Sequence, residues 1–199
     1  MYTIRRFKGD CPPWERAERL SINWFGWGGD YRPETEAALL YQEGRGFWLR
    51  FRCREERPRT RIAEHNGTVC HDSCVEAFIN FQPETDRRYL NLEINAAGVY
   101  LLHFGEAGKR RPAEEGEEGL LIHPSRTGAW WEVTAFLPQT LLCRLYGGWE
   151  AAPGGILRGN FYKCGELRPR HHAAWQPVKT AAPDFHRPEF FGRMKMEDI

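Results

Sequence analysis

"VEAFINF", residues 75–81, alternates without a break: Val75, Ala77, Ile79 and Phe81 fall on one side of an extended chain, and Glu76, Phe78 and Asn80 on the other. Successive side chains of a strand point to opposite faces, so the pattern specifies a strand with one apolar face and one mixed face. A short connection, "QPETDRR", leads to "YLNLEINA" (89–96), which repeats the pattern with Leu90, Leu92, Ile94 and Ala96 inward and Tyr89, Asn91, Glu93 and Asn95 outward. That connection suits antiparallel neighbours, and Glu76, Asn80, Asn91, Glu93 and Asn95 then share one surface. Sugar hydroxyls pair with amides and carboxylates, while sugar C–H faces lie on aromatic rings. A polar sheet face left to water gives the same pattern, so both readings stay open at this point. Further on, "NAAGV" (95–99) places Ala97-Gly98 at a hairpin turn. A two-residue loop directs Tyr100, Leu102 and Phe104 to the face of Asn91 and Glu93, and a three-residue loop reverses that register. We expect the former, giving a face that mixes amides, carboxylates and rings.

Working outward, period-two alternation recurs near 2–7, 36–42, 46–54, 99–105, 119–123, 129–137, 157–164 and 189–196. No stretch with helical apolar spacing exceeds two turns, although a short helical turn fits Gln139 to Leu145. Turn-rich segments lie at 26–33, 105–119 and 147–155, and the charged insert "GEAGKRRPAEEGEEG" (105–119) reads as a solvated hairpin tip. Many short strands with turns between them predict an all-β protein, an antiparallel β-sandwich or jelly roll. Its length predicts one domain over 1–199.

Composition narrows the partners. The chain has 28 Lys and Arg against 27 Asp and Glu, which gives no long-range field for nucleic acid or an anionic membrane. No run approaches the roughly 18 to 20 apolar residues of a membrane-spanning helix. The first residues lack the apolar core of a secretory signal, so the sequence as given is expected to be cytoplasmic, or secreted if a leader has been trimmed. The six cysteines are too scattered for a disulfide-stapled domain and are expected as free thiols. "CHDSC" (70–74) offers Cys70, His71 and Cys74, but a zinc site needs a second ligand pair at matching spacing, and Cys164 with His171 and His172 matches weakly. No metal is expected there.

The stretches "DSCVEAFINF" (72–81), "YLNLEINAAG" (89–98), "WWEVTAFLP" (130–138), "GNFYKCG" (159–165) and "PDFHRPEFFG" (183–192), in this order, resemble the carbohydrate-binding module family 9-like proteins. The resemblance covers about residues 35 to 196. It implies a β-sandwich in which two tryptophans hold a terminal sugar between them while a carboxylate and polar side chains take its hydroxyls. By motif, Glu76 in "DSCVE" corresponds to the carboxylate, Glu93 and Asn95 in "LEIN" to the strand polar groups, and Trp175 in "HHAAWQP" to one platform. The chain departs from the pattern before Glu76, where the second tryptophan is replaced by Val69-Cys70, with Tyr100, Phe104 and Tyr162 as candidates to supply a ring. Structural calcium also accompanies the family, although no dense Asp/Asn loop demands it here.

Further candidates are Asn91, Tyr162 and His172, and Lys163 is either a ligand contact or a surface lysine. His186 and Arg187 are either a polar rim of the site or ion-pair partners of Asp184, Glu189 or a neighbouring loop. The expected function is non-catalytic binding of a mono- or oligosaccharide, linked to polysaccharide or glycan catabolism. One alternative is a glycoside hydrolase using Glu76 and Glu93, for which carboxyl separations of roughly 5 to 9.5 Å set the stereochemistry. The other is a β-sandwich whose aromatic face docks a protein.

Overall fold

The computed structural model describes residues 1–113, 119–167 and 169–198; the central part of the charged insert, 114–118, lies outside them. In chain order the strands are β1 (Tyr2–Phe7), β2 (Leu20–Ser21), β3 (Thr35–Gln42), β4 (Gly46–Arg54), β5 (Cys74–Asn80), β6 (Tyr89–Asn95), β7 (Tyr100–Gly105), β8 (Arg111–Pro112), β9 (Leu121–Thr127), β10 (Trp130–Pro138), β11 (Ile156–Gly165), β12 (His171–Ala174) and β13 (Gly192–Met196). One helix, α1 (Gln139–Tyr146), follows β10. Among the described residues, no helix is long and apolar enough to cross a membrane.

The strands join in the order β8-β7-β6-β5-β11-β13-β1-β3-β4-β10-β9, with β12 on β11 and β2 on β3. This path curls over so that β5, β6 and β11 face β3, β4 and β10 across a common core. The apolar faces read from the sequence meet there: Val75, Ala77, Ile79, Leu90, Leu92 and Ile94 from one layer, Phe47, Leu49, Phe51, Val133, Ala135 and Leu137 from the other, all buried. Burying each of the larger side chains contributes about 1.5–3 kcal/mol.

Three features depart from expectation. First, β1 pairs in parallel with both β13 (Tyr2↔Met194) and β3 (Arg5↔Leu40), carrying the sheet from one layer to the other. No hairpin links β1 to either neighbour, so nothing forces it antiparallel. Second, β2, β8 and β12 are too short to generate a readable period. The stretch 189–196 begins instead with a 3-10 turn at Pro188–Phe190 and is a strand only from Gly192; proline at the first helical position favours that turn.

The third departure is the β6–β7 loop. Ile94 pairs with Tyr100 and Asn91 with His103, so the loop is three residues, Ala96–Gly98, and the register is the reverse of the one expected. Tyr100 and Phe104 therefore pack on the core side, and Leu101 faces with Glu93. Asn95 causes this: its Oδ1 accepts the backbone N–H groups of Ala97 and Val99, both at 3.0 Å, closing a side-chain turn that competes with the two-residue hairpin. Gly98 at φ 84° takes the left-handed position that the turn requires.

The second face of β5, β6 and β11 is not left to water. Phe78, Tyr89 and Tyr162 stand among its polar residues, and a second apolar cluster covers them with Val69, Val178, Phe185 and Phe191 from the surrounding loops. Aromatic rings interleaved with carboxylates on one strand face thus draw a roof over both.

Candidate functional site

Glu76 on β5 and Glu93 on β6 stand directly opposite one another in the ladder, on the roofed face. They form the floor of a cavity of about 180 Å³. Cys70, from the 3-10 turn Val69–His71, Glu166 and His172 stand on one side. Pro183 to His186 close the other. His172 is brought in by β12, whose residue 172 pairs with Cys164 of β11, and its Nε2 lies 2.7 Å from Glu166 Oε1.

The aromatic wall comes from the segment "DFHRPEFFG". Phe185 stacks on Tyr162 with ring centroids 4.0 Å apart and 12° between planes, and Tyr162 OH donates to the Phe185 carbonyl at 3.0 Å. His186 stacks on Phe78 at 4.8 Å and 7°, with Nδ1 3.2 Å from Tyr89 Oη. Trp27 buttresses this wall, 5.6 Å from Phe185 and 6.1 Å from His172, and its indole N–H donates to the Thr180 carbonyl. A loop of small, polar and proline residues is thereby held by ring contacts rather than by a ladder.

The floor has unusual electrostatics. Glu76 and Glu93 are both buried, and among the described residues neither forms an ion pair with a basic side chain. Burial, and then the facing Glu93, hold the Glu76 carboxyl well above the ordinary range. Burial raises Glu93 to about 7, against the opposing pull of the Asn91 amide and of Arg110. The Cys164 thiol donates to Glu76 Oε1 at 3.0 Å and Asn91 Nδ2 to Glu93 Oε1 at 3.3 Å. Two carboxyls that cannot both ionise cheaply retain a proton near neutral pH, so the floor presents a hydrogen-bond donor beside an acceptor. That is the pairing which adjacent hydroxyls accept.

The structure brings together Glu76, Glu93 and His172, with Asn91 beside Glu93 and Tyr162 fully buried beneath Phe185. It separates the others. Asn95 is fully buried and spends its amide on Asp72 Oδ2 and the Ile62 carbonyl, so it shapes loops and does not line the cavity. Arg187 pairs with Asp184 at 2.7 Å and sits 3.8 Å from Glu189; it steadies the wall from outside. Trp175 is displaced altogether. Its backbone N–H bonds the Phe161 carbonyl, continuing the alternation of β12, so that His172 and Ala174 face the cavity side while Ala173 and Trp175 face the core. Its indole meets Tyr2 and Phe161 edge-on and occupies the space left by the missing side chain of Gly192. It borders a separate hollow beside Tyr2 and Leu20. A platform at Trp175 sharing a hollow with Glu76 and Glu93 is thus corrected by strand parity.

Sequence reasoning missed Cys70, Glu166, Asp184 and Phe185 as wall residues, and Trp27 as the buttress. Phe185 lay within the singled-out "DFHRPEFFG", yet a loop has no period from which to read direction. Calcium binds six to eight oxygens. Among the described residues, the grouping of metal-type side chains is Cys74, Glu76 and Cys164, two sulfurs and one carboxylate.

Comparison with known proteins adds a family. The family model described as carbohydrate-binding family 9 matches residues 14–196. The chain is 26% identical to a candidate carbohydrate-binding protein from Bacteroides uniformis ATCC 8492, covering 98% of this chain and 99% of that one at a TM-score of 0.82. It is 13% identical to a family 9 carbohydrate-binding module from Caldicellulosiruptor kristjanssonii in complex with glucose, over 99% and 96% of the two chains with a TM-score of 0.68. The same kind of module in complex with cellotriose gives 12% identity, 100% and 94% coverage and a TM-score of 0.67. At those identities the modules show the shared fold alone. No curated protein matches the sequence.

Proposed function

The chain belongs to carbohydrate-binding family 9, and from that premise we propose that it binds a single sugar ring, without cleaving it, in the cavity above Glu76 and Glu93. The observation that carries this reading is the carboxyl pair, register partners across β5 and β6, in one cavity that Phe185 also lines. Hydroxyls of one sugar edge meet the proton-sharing pair, and the C–H face lies toward the phenylalanine. At about 30 Å³ per water, a cavity of about 180 Å³ is on the scale of one pyranose. A free monosaccharide or the end of a chain therefore fits better than the middle of one. The Caldicellulosiruptor modules hold glucose and cellotriose, which makes glucose and glucan ends the first ligands to try. The same reading assigns the protein to glycan catabolism as a capture module.

Hydrolysis is disfavoured by placement. Glu76 and Glu93 are neighbours on adjacent strands of one floor, whereas glycosidases set their two carboxyls on either side of the scissile bond.

Calorimetric titration of the folded protein with glucose, cellobiose and a panel of other monosaccharides tests the proposal. Saturable binding is expected for at least one sugar, together with a change in tryptophan fluorescence from Trp27. Phe185→Ala should weaken binding at least tenfold. Trp175→Ala should leave binding unchanged while costing about 2–4 kcal/mol of stability as a partly buried core indole, read from thermal melting. No binding across the panel, or binding lost through Trp175→Ala and kept in Phe185→Ala, sinks this assignment.

A further inference from the structure

Below the carboxyl floor the ladder brings two thiols and a carboxylate to one point. Cys74 on β5 and Cys164 on β11 are register partners, and Glu76, two residues along β5, points to the same face. One ligand atom from each lies within 4.8 Å of the other two, and all three side chains are buried. All three stand on paired strands, so their spacing is set by the sheet rather than by a loop. The cavity above is lined by Glu76 and Cys70, so Glu76 is the ligand of the three that meets it.

From this geometry we propose that Cys74, Cys164 and Glu76 form a binding site for a borderline-soft transition-metal cation of the zinc class. Two sulfurs and one carboxylate exclude magnesium and calcium, which take oxygen, and favour zinc or cobalt. Bonds of about 2.3 Å to sulfur and 2.0–2.2 Å to oxygen require the side chains to close on the cation by on the order of an ångström. From "CHDSC" no metal is expected, with Cys164 only a weak partner by spacing; the sheet nevertheless sets Cys164 of β11 directly beside Cys74. Binding involves no change of oxidation state. Each sulfur, and the Glu76 carboxyl with them, forms its bond to the cation as its proton leaves to solvent, so uptake releases protons. The site stands independently of the sugar reading, but it draws on Glu76, so a bound cation is expected to weaken sugar binding.

Cobalt(II) is the probe, added to the full chain carrying Cys11→Ser, because Cys11 is an exposed thiol. A thiolate-to-cobalt charge-transfer band saturating at one equivalent and abolished by excess zinc is expected. Cys74→Ser and Cys164→Ser should each remove it, Glu76→Gln should weaken cobalt affinity at least tenfold, and Cys143→Ser should change nothing. Zinc-edge X-ray absorption of the chain with its own Cys74 and Cys164 should count two sulfurs, which keeps the test decisive if the serine variants do not fold. Absence of the band, its survival in both serine variants, or a zinc shell of nitrogen and oxygen alone overturns the proposal. Sugar titrations run in chelator report on the other reading separately.

Discussion

Glu76→Gln is expected to make the metal-free protein more stable than the parent above pH 7, by a margin that grows with pH. The reason is the direction of the shifts. Both carboxyls are raised in the folded state, Glu76 by burial and by Glu93, and Glu93 by burial to about 7. A folded state that keeps protons which the unfolded chain has released gains stability below the ordinary carboxylate range and loses it as pH rises. For Glu93 the move from 4.5 to about 7 corresponds to roughly 3 kcal/mol, or about 6–12 °C in Tm for a chain of this size, and the Glu76→Gln gain has the same sign. His171 and His186, both lowered to about 4 chiefly by burial, act with the opposite sign. They add stability as pH climbs from about 4 to 6.5, so in the parent the decline emerges only above that. Comparing variant with parent cancels the histidines and isolates the pair. Melting curves from pH 5 to pH 9 in chelator read it directly. Glu76→Gln with Glu93→Gln should flatten the remaining carboxyl slope. A variant that tracks the parent at every pH contradicts the account. The single variant should also weaken sugar binding about 10- to 100-fold, the scale of a lost hydrogen bond to a charged group.

Lys163→Met is expected to be strongly destabilising, because it removes a charge that sits wholly inside the protein. Lys163 is fully buried, on the core face of β11 opposite the cavity. Its Nζ lies 2.7 Å from His171 Nε2, 3.3 Å from Glu55 Oε2 and 3.0 Å from the Cys164 carbonyl. Glu55 is itself held by the Trp131 indole N–H at 2.9 Å and the Tyr31 hydroxyl at 3.0 Å. Methionine keeps much of the stem volume and removes the charge, leaving Glu55 buried without its cation. Breaking a buried pair in this way costs about 3–5 kcal/mol, or roughly 6–20 °C in Tm. Glu55→Gln added to Lys163→Met should recover a large part of the loss, since replacing both partners is often close to neutral. A loss below about 1 kcal/mol for the single variant would mean that the pair contributes little. Either way the lysine is neither the ligand contact nor the surface charge that "NFYKCG" suggested.

Residues 75–81 and 89–96 made the core legible because a strand with one apolar face announces its orientation. The same alternation correctly put Glu76, Asn91 and Glu93 on one surface. It failed where side chains replaced backbone logic: Asn95 closed the turn with its own amide and reversed β7. It also failed for the roof, since the sequence shows that Phe78, Tyr89 and Tyr162 share a face with carboxylates but not what covers them. The error at Trp175 is the most instructive. Motif correspondence placed its indole at the site, whereas counting from His172 along an extended β12 places it in the core. Parity was available from the sequence, but β12 was too short to be recognised as a strand.

The most direct test of the central claim is a crystal of the protein soaked with glucose in chelator. The account predicts one sugar ring in the cavity, its hydroxyls on the carboxyls of Glu76 and Glu93 and its C–H face toward Phe185. Sugar seated instead in the hollow beside Tyr2 and Trp175, with the Glu76 cavity holding only water, would contradict it.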